Sequence, residues 1–413
     1  MDQPATTRRT SRLPIPRWEF ITLCAALMAL NSLAIDIMLP ALQEIGSSLG
    51  VETENHRQYV IAAYIVGFGG AQLFFGPLSD RFGRRPPLVA GLVIYILAAA
   101  AAAVAPSFTA LLVCRLVQGV GAAATRVISV SIVRDTFEGR RMAEVMSLIF
   151  MVFMAIPVVA PGIGQVVMLV ASWHFIFVAM AVGALAISAW AMLRLPETLH
   201  PEYRRPLTAG SILGGFAIVL TNRIAFCYAL ASTFTFAAMF GFINSAQQIY
   251  VGIYGMGELF PVIFAAVAGV VAASNFANAR LVGRIGMRRL SQGALLALLA
   301  ISLLWLGLSL ADKMPLVVFV AVFATSMIPF AMLGSNFNAL AMEPLGALAG
   351  TASSVLGFMQ TFFGGLLGTL IGQAFDGTVT PLAAGFCLVS LGALAAVLVA
   401  ERGRMFQPHN PPV

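Results

Sequence analysis

Apolar residues in this chain come in long unbroken runs rather than at the spacing of a half-buried helix or strand. Runs near 20 residues, such as "LVAGLVIYILAAAAAAVA", recur from end to end with short polar gaps between them. A run of that length crosses ~30 Å of hydrocarbon as an α-helix. A membrane barrel needs instead ~10-residue segments of alternating polarity, and the chain has none. The pattern predicts twelve transmembrane helices, at 18–40, 58–78, 87–105, 108–133, 143–168, 173–194, 222–246, 257–279, 289–310, 314–341, 349–373 and 380–400. Pro329 interrupts the tenth, and Asn336 and Asn338 make its end polar.

The longest gap, 195–221, has three prolines and reads as a linker able to carry a surface helix. The expected organisation is a tail at 1–17, a six-helix bundle at 18–194, that linker, a second bundle at 222–400 and a tail at 401–413. The N-terminal apolar stretch is too long for a ~7–15-residue signal-peptide core and lacks a small-residue cleavage site, so it reads as a retained helix.

Composition agrees. Of 413 residues, 60% are hydrophobic and only 10% charged, against about 25% charged in soluble domains. The net charge of +7 reports topology rather than a nucleic-acid partner. With the N-terminus in the cytoplasm, 20 of the 24 basic residues, from Arg8 to Arg404, fall on the cytoplasmic side. Only Arg57 and Lys313 lie outside, and Arg115 and Arg126 lie within a span. Basic loops face the cytoplasm, so both termini are expected there. Cys24, Cys114, Cys227 and Cys387 fall inside apolar runs, with no CxxC or CxxH spacing, and read as small core residues.

The densest charge lies in "GPLSDRFGRRPPL", residues 76–88, between two apolar runs. Its echo, "GRIGMRR", lies after the eighth span, 203 residues on, matching Arg81 with Arg284, Gly83 with Gly286 and Arg85 with Arg288. A match at the same gap of each half indicates duplication, a transporter design with its substrate site between parallel halves.

Asp36 is the only carboxylate well inside a predicted span. An ionisable group there costs ~2.5–3.5 kcal/mol on insertion scales and is a functional candidate. It can hold a proton in one conformation and release it in another, or face a cationic ligand. Arg115 and Arg126 are eleven residues apart, within ~20° of three full helical turns, so they share one face. Arg115 lies ~10 Å and Asp36 ~6 Å from the outer ends of their spans, which predicts an ion pair between them. Pro157 and Pro161, with Gly162 and Gly164, predict a bend and close packing in the fifth span. Asn31, Tyr64, Gln72, Gln118, Arg126, Asn244, Gln247, Asn336 and Gln360 are candidate cavity residues. Phe68, Phe234, Phe236, Phe358 and Phe362 are candidate stacking surfaces. A largely apolar cavity with a few polar groups suits varied ligands. No Walker lysine loop, metal cluster or nucleophile triad is present in the sequence, so neither an ATP-driven pump nor an enzyme is expected.

At these residues the chain resembles the major facilitator superfamily. "GPLSDRFGRR" matches that family's loop 2–3 signature, G-x-L-x-D-R-x-G-R-R, at every specified position. "RLVQGVGAA" resembles the R-x-x-Q-G-x-G-x-A signature of its proton-coupled members. "AIPVVAPGIGQ" is similar to the antiporter signature G-P-x-x-G-G, but has Ala160 before Pro161 and Gln165 after Gly164. "AIDIMLPALQEIGSSLGV", "IVRDTFEGRRMAEVMS" and "LPETL" resemble the Bcr/CflA drug-resistance branch.

The resemblance implies an all-α integral membrane protein with twelve transmembrane helices in two six-helix pseudo-repeats. It implies a bacterial inner-membrane exporter of small amphipathic or cationic drugs in exchange for protons. It would act as a monomer, with no cofactor beyond the coupling proton. The loop of Gly76, Asp80, Arg81, Gly83, Arg84 and Arg85 would latch the two halves in the outward-facing state. Arg115 would modulate Asp36, which stays ionised while paired and takes a proton once separated. The alternative is a proton-coupled transporter of one metabolite: a sugar, amino acid, peptide or organic anion.

Overall fold

The computed structural model describes residues 15–407, apart from 138, 200–201, 203, 205–208, 258 and 312–313. Residues 1–14, with Arg8, Arg9 and Arg12, residues 408–413, Arg205 and Lys313 therefore lie outside the described residues, as does the side chain of Arg140. Among the described residues there is no strand. Twelve long helices follow in order: α1 Arg17–Asp36, α2 Tyr59–Phe82, α3 Arg85–Ala102, α4 Phe108–Thr136, α5 Gly139–Val170, α6 His174–Arg194, α7 Arg223–Gln247, α8 Phe260–Ile285, α9 Met287–Ala311, α10 Leu316–Met342, α11 in two pieces, Ala349–Phe358 and Gly364–Gln373, and α12 Thr380–Ala400. Eleven are long and apolar enough to cross a membrane; in α5 the described apolar stretch is Ile156–Val170.

Two groups of six are visible in the packing. In the first, α4 packs on α2 and α3, α1 on α5, and α6 on α3 and α1. In the second, α7 packs on α10, α11 and α12, and α9 on α10 and α12. The groups meet along two seams, α2 against α11 and α5 against α8. A 13-residue helix, Ala209–Thr221, occupies the linker.

Local chemistry sets several helix ends. Ser107 caps α4, its Oγ accepting from the Ala110 N–H at 3.2 Å, and Asn222 caps α7 in the same way at 3.0 Å from Ala225. Gly83 ends α2 with φ of 94°, and Gly286 ends α8 with φ of 88°. A side chain is disfavoured in that left-handed region. The two glycines matched across the sequence repeat thus do the same job in each half.

Three expectations change. The charged loop is less of a loop than predicted: α2 runs through Pro77 to Phe82, so Asp80 and Arg81 ride on its last turn. Pro329 does not interrupt α10; α5, where a bend is predicted, is one continuous helix containing Pro157 and Pro161. Freed carbonyls can be satisfied locally within a packed bundle. The break falls instead in α11, where Met359–Phe363 forms a π-helical turn containing no proline.

Candidate functional site

Asp36 is the last residue of α1 and is buried, at 4% exposed. Its carboxylate accepts one hydrogen bond, from Ser32 Oγ at 2.9 Å. Glu19, on the first turn of the same helix, is treated differently: Arg194 donates to both its oxygens, at 2.6 and 2.8 Å. The predicted Asp36–Arg115 ion pair is not formed. The fully buried Arg115 instead donates to the carbonyls of Ala34 at 2.9 Å and Val60 at 3.2 Å, and to Gln118 Oε1 at 2.7 Å. The Ala34 carbonyl lies in the last turn of α1, where intrahelical donors run out, and the guanidinium supplies the missing donor. Its face lies 4.4 Å from the Tyr64 ring centre, a favourable cation–π distance. Tyr64 in turn donates to Asn31 Oδ1 at 3.0 Å. Arg115, Gln118, Tyr64 and Asn31 thus form one polar knot inside the first bundle, anchored two residues from Asp36.

Gly164 of α5 completes this region. A Cβ there would lie 2.1 Å from the Ile37 carbonyl oxygen, so only glycine lets α5 approach the end of α1. Gly162 faces open space and has no such role.

The other candidates separate by location. Gln72 of α2 and Arg126 of α4 both donate to Thr361 Oγ1 of α11, at 3.1 and 3.4 Å, across the seam. Phe68 lies 5.9 Å from the Arg126 guanidinium, and Phe358 stacks on Phe362 at 5.2 Å. Gln247 reaches Gln43 across the seam at 3.5 Å. Asn336 and Gln360 are committed within the second bundle, to Asn278 at 2.8 Å and Ser232 at 2.8 Å. Asn244 donates to the Phe240 carbonyl of its own helix, leaving Oδ1 unpaired. Phe236 lies 6.3 Å from Phe240 on the same helix, whereas Phe234 packs against Gly392 of α12, away from the seam.

At the arginine-rich end, the charged loop closes into a cluster. Arg84, 2% exposed, donates to Asp80 at 2.6 Å, to Asp135 at 2.7 and 3.2 Å and to Ser79 at 2.9 Å. Glu197 accepts from the backbone N–H groups of Arg84 and Arg85 at 2.8 and 3.0 Å. The segments "SDRFGRR", "IVRD" and "LPETL", distant in sequence, therefore meet at Arg84: Asp80 and Asp135 at its guanidinium, Glu197 at its backbone N–H. Arg85 donates to the Met192 carbonyl at 2.6 Å. Arg81 is exposed and pairs with no described residue. Gly76 sits at the seam, where a Cβ would lie 2.9 Å from Ser354 Oγ. The second half repeats the design: Arg288 pairs with Glu343 at 2.8 Å and Glu401 at 2.9 Å, and Tyr228 donates to Glu401 at 2.6 Å. Each cluster keeps its ion pairs within its own half.

At the opposite end the halves are joined by neutral amides that the sequence reading did not single out. Gln58 bonds to Gln248, which donates to Asn55 Oδ1 at 2.7 Å. Asn55 donates to the carbonyls of Gln373 and Phe375 at 2.9 and 2.8 Å, and Gln373 donates back to the Asn55 carbonyl at 2.6 Å. An amide at a span end carries no pairing signal, so only the fold reveals these contacts.

This arrangement has recognisable counterparts. A bicyclomycin resistance protein homolog from Haemophilus influenzae is 31% identical over 92% of this chain and 94% of that protein. The multidrug resistance protein MdtL of Escherichia coli is 28% identical over 95% of this chain and 98% of its own length. Among solved structures, a D-xylose-proton symporter superposes with a TM-score of 0.68 at 12% identity, over 94% of this chain and 98% of that one. The human organic anion transporter MFSD10 gives 0.65 at 18%, over 94% and 100%. At those identities the two structures speak for the fold alone. The family model of the Major Facilitator Superfamily matches residues 21–369, and the chain is a member of that superfamily: a multi-pass membrane transporter, not an enzyme.

Proposed function

We propose that this chain is a proton-coupled exporter of small amphipathic compounds, drugs among them. On this reading it acts as a monomer in the bacterial inner membrane, with its arginine-rich end and both termini in the cytoplasm. The relatives' names, which speak of bicyclomycin and multidrug resistance, support export of drugs. The observation that carries proton coupling is Asp36. It is a buried carboxyl whose one hydrogen bond comes from a serine, beside a guanidinium committed to the backbone of the same helix.

In the proposed cycle, the outer amide junction opens and a proton reaches Asp36. The protonated carboxyl makes no demand on Arg115, which holds the Ala34 carbonyl as in the conformation described here. The amide junction then closes and the cytoplasmic end parts, with the Arg84 and Arg288 clusters satisfied within their own halves. Proton loss at the inner side leaves a carboxylate that draws Arg115 toward it and favours substrate loading. In the outward-facing state the Asp80–Arg84 loop latches against the second half across the Gly76–Ser354 seam. Each net positive charge entering contributes ~2.3 kcal/mol per 100 mV of membrane potential.

The test is dye accumulation in efflux-deficient bacteria expressing the chain or Asp36→Asn, with and without a protonophore. Neutral, anionic and cationic amphipathic fluorophores are compared. Exclusion by the wild type that collapses with the gradient, and is lost in Asp36→Asn at equal membrane abundance, is expected. Full gradient-driven exclusion by Asp36→Asn would sink the scheme.

A further inference from the structure

We infer that the transported compounds carry an acidic group, a carboxylate or a group of like charge and geometry, which Arg126 binds at the seam between the two bundles. This rests on the exporter reading above and narrows its substrate class. Arg126 projects from the same face of α4 as Arg115, ~16 Å further along the helix. The two arginines have different surroundings. Arg115 spends its donors on carbonyls and Gln118 within one bundle. Arg126 reaches across the seam to a single weak partner, Thr361 Oγ1 at 3.4 Å, and no described carboxylate lies within ion-pair distance of it. A guanidinium in membrane interior with its donors largely uncommitted is costly to keep and marks a ligand path.

Its polar neighbours also offer hydrogens toward the seam. Gln72 presents its amide N–H to Thr361 Oγ1 at 3.1 Å. The Thr361 hydroxyl accepts from both neighbours and donates to no described residue. A guanidinium, an amide and a free hydroxyl proton thus converge as donors where no acid faces them. A carboxylate is the acceptor that satisfies such a set, and a planar guanidinium can bind it through two parallel bonds. Asp36, the buried carboxyl that could serve a cation, belongs instead to the end of α1 with Ser32.

The backbone supports the same location independently. Thr361 lies in the π-helical turn Met359–Phe363, a distortion frequent at functional sites and seen also at Gln248–Ile253. Thr361 of that turn is the residue that meets Arg126. Phe68, 5.9 Å from the guanidinium, supplies an apolar wall for the body of the ligand, with Phe362 packed against the neighbouring Gly69 and Gly70 of α2.

The test uses the purified full chain in lipid nanodiscs and three matched probes: naphthalene-2-acetate, its neutral amide and a naphthylmethyl-trimethylammonium. Equilibrium binding is measured for wild type, Arg126→Lys and Arg126→Gln. The acetate should bind wild type about tenfold or more tighter than the amide. Arg126→Gln should bring that ratio near one while amide binding persists, and Arg126→Lys should restore part of it. Wild type that binds the acetate no tighter than the amide or the ammonium would overturn the inference, with no variant needed. So would an unchanged ratio in Arg126→Gln. Proton-driven movement of the bound probe into everted vesicles is scored separately. Charge-selective binding without gradient-driven movement would refute the exporter reading while leaving the acidic-group site standing.

Discussion

Neighbouring arginines of one loop should behave oppositely when neutralised. Arg84 is 2% exposed and holds Asp135, itself 15% exposed, through two hydrogen bonds. Asp80, the second partner, is 36% exposed, so water can replace much of what it loses. The cost of Arg84→Gln therefore resides mainly in Asp135. Among the described residues Asp135 then keeps only the Thr198 hydroxyl, at 3.2 Å, and leaving a largely buried charge without its ionic partner costs about 3–5 kcal/mol. Spread over the unfolding entropy of a chain this long, that is a fall of about 3–6 °C in Tm. Arg81→Gln removes an exposed side chain that pairs with no described residue and should leave Tm unchanged. The double variant Arg84→Gln/Asp135→Asn removes both charges and should recover about 1–3 kcal/mol relative to the sum of the singles. Thermal melting of detergent-purified protein, read by size-exclusion chromatography, gives all four values. Additive single effects, or an Arg81→Gln loss equal to that of Arg84→Gln, would refute the hub assignment.

The mirrored cluster predicts that Arg288→Gln lowers Tm by an amount comparable to Arg84→Gln, since it too leaves a buried carboxylate, Glu401; the same melting assay checks it. Gly164→Ala places a Cβ 2.1 Å from the Ile37 carbonyl oxygen and should cost about 1–3 kcal/mol through overpacking. Gly162→Ala, into open space, should be neutral in Tm and in dye efflux. Gln248→Ala removes the amide that joins Gln58 to Asn55. It should raise the labelling of a cysteine placed at Asn244, 1% exposed beside the junction, by an impermeant maleimide, because that end opens more often.

The spans were legible because hydrocarbon thickness imposes a run length that no soluble helix needs. The paired loops were legible because duplicated sequence kept Gly83 and Gly286 where α2 and α8 require positive φ. Helix interruptions were misread. Proline is the visible breaker, yet α10 runs through Pro329, and α11 departs from α geometry at Met359–Phe363, where nothing in the residue types announces it. Asp36 and Arg115 were found as ionisable residues in apolar runs, and the structure puts them in one neighbourhood. Their partners were not legible: Arg115 takes the Ala34 carbonyl rather than a carboxylate, because a helix end exposes an acceptor that sequence does not display. The amide junction joins residues 190 to 320 positions apart, a separation that one sequence cannot bridge. Glu197, Glu343 and Glu401 were likewise invisible as partners until the loops around them were placed.

Proton coupling through Asp36 is the central claim, and reconstituted transport tests it most directly. Proteoliposomes containing wild type or Asp36→Asn are given an imposed pH gradient, and uphill accumulation of a labelled substrate is measured beside gradient-free exchange. Wild type should do both. Asp36→Asn should keep exchange at a reduced rate, since the α1–Arg115 contact is through a backbone carbonyl but no carboxylate favours loading, and should lose uphill accumulation. Uphill accumulation by Asp36→Asn at the wild-type level would contradict the account.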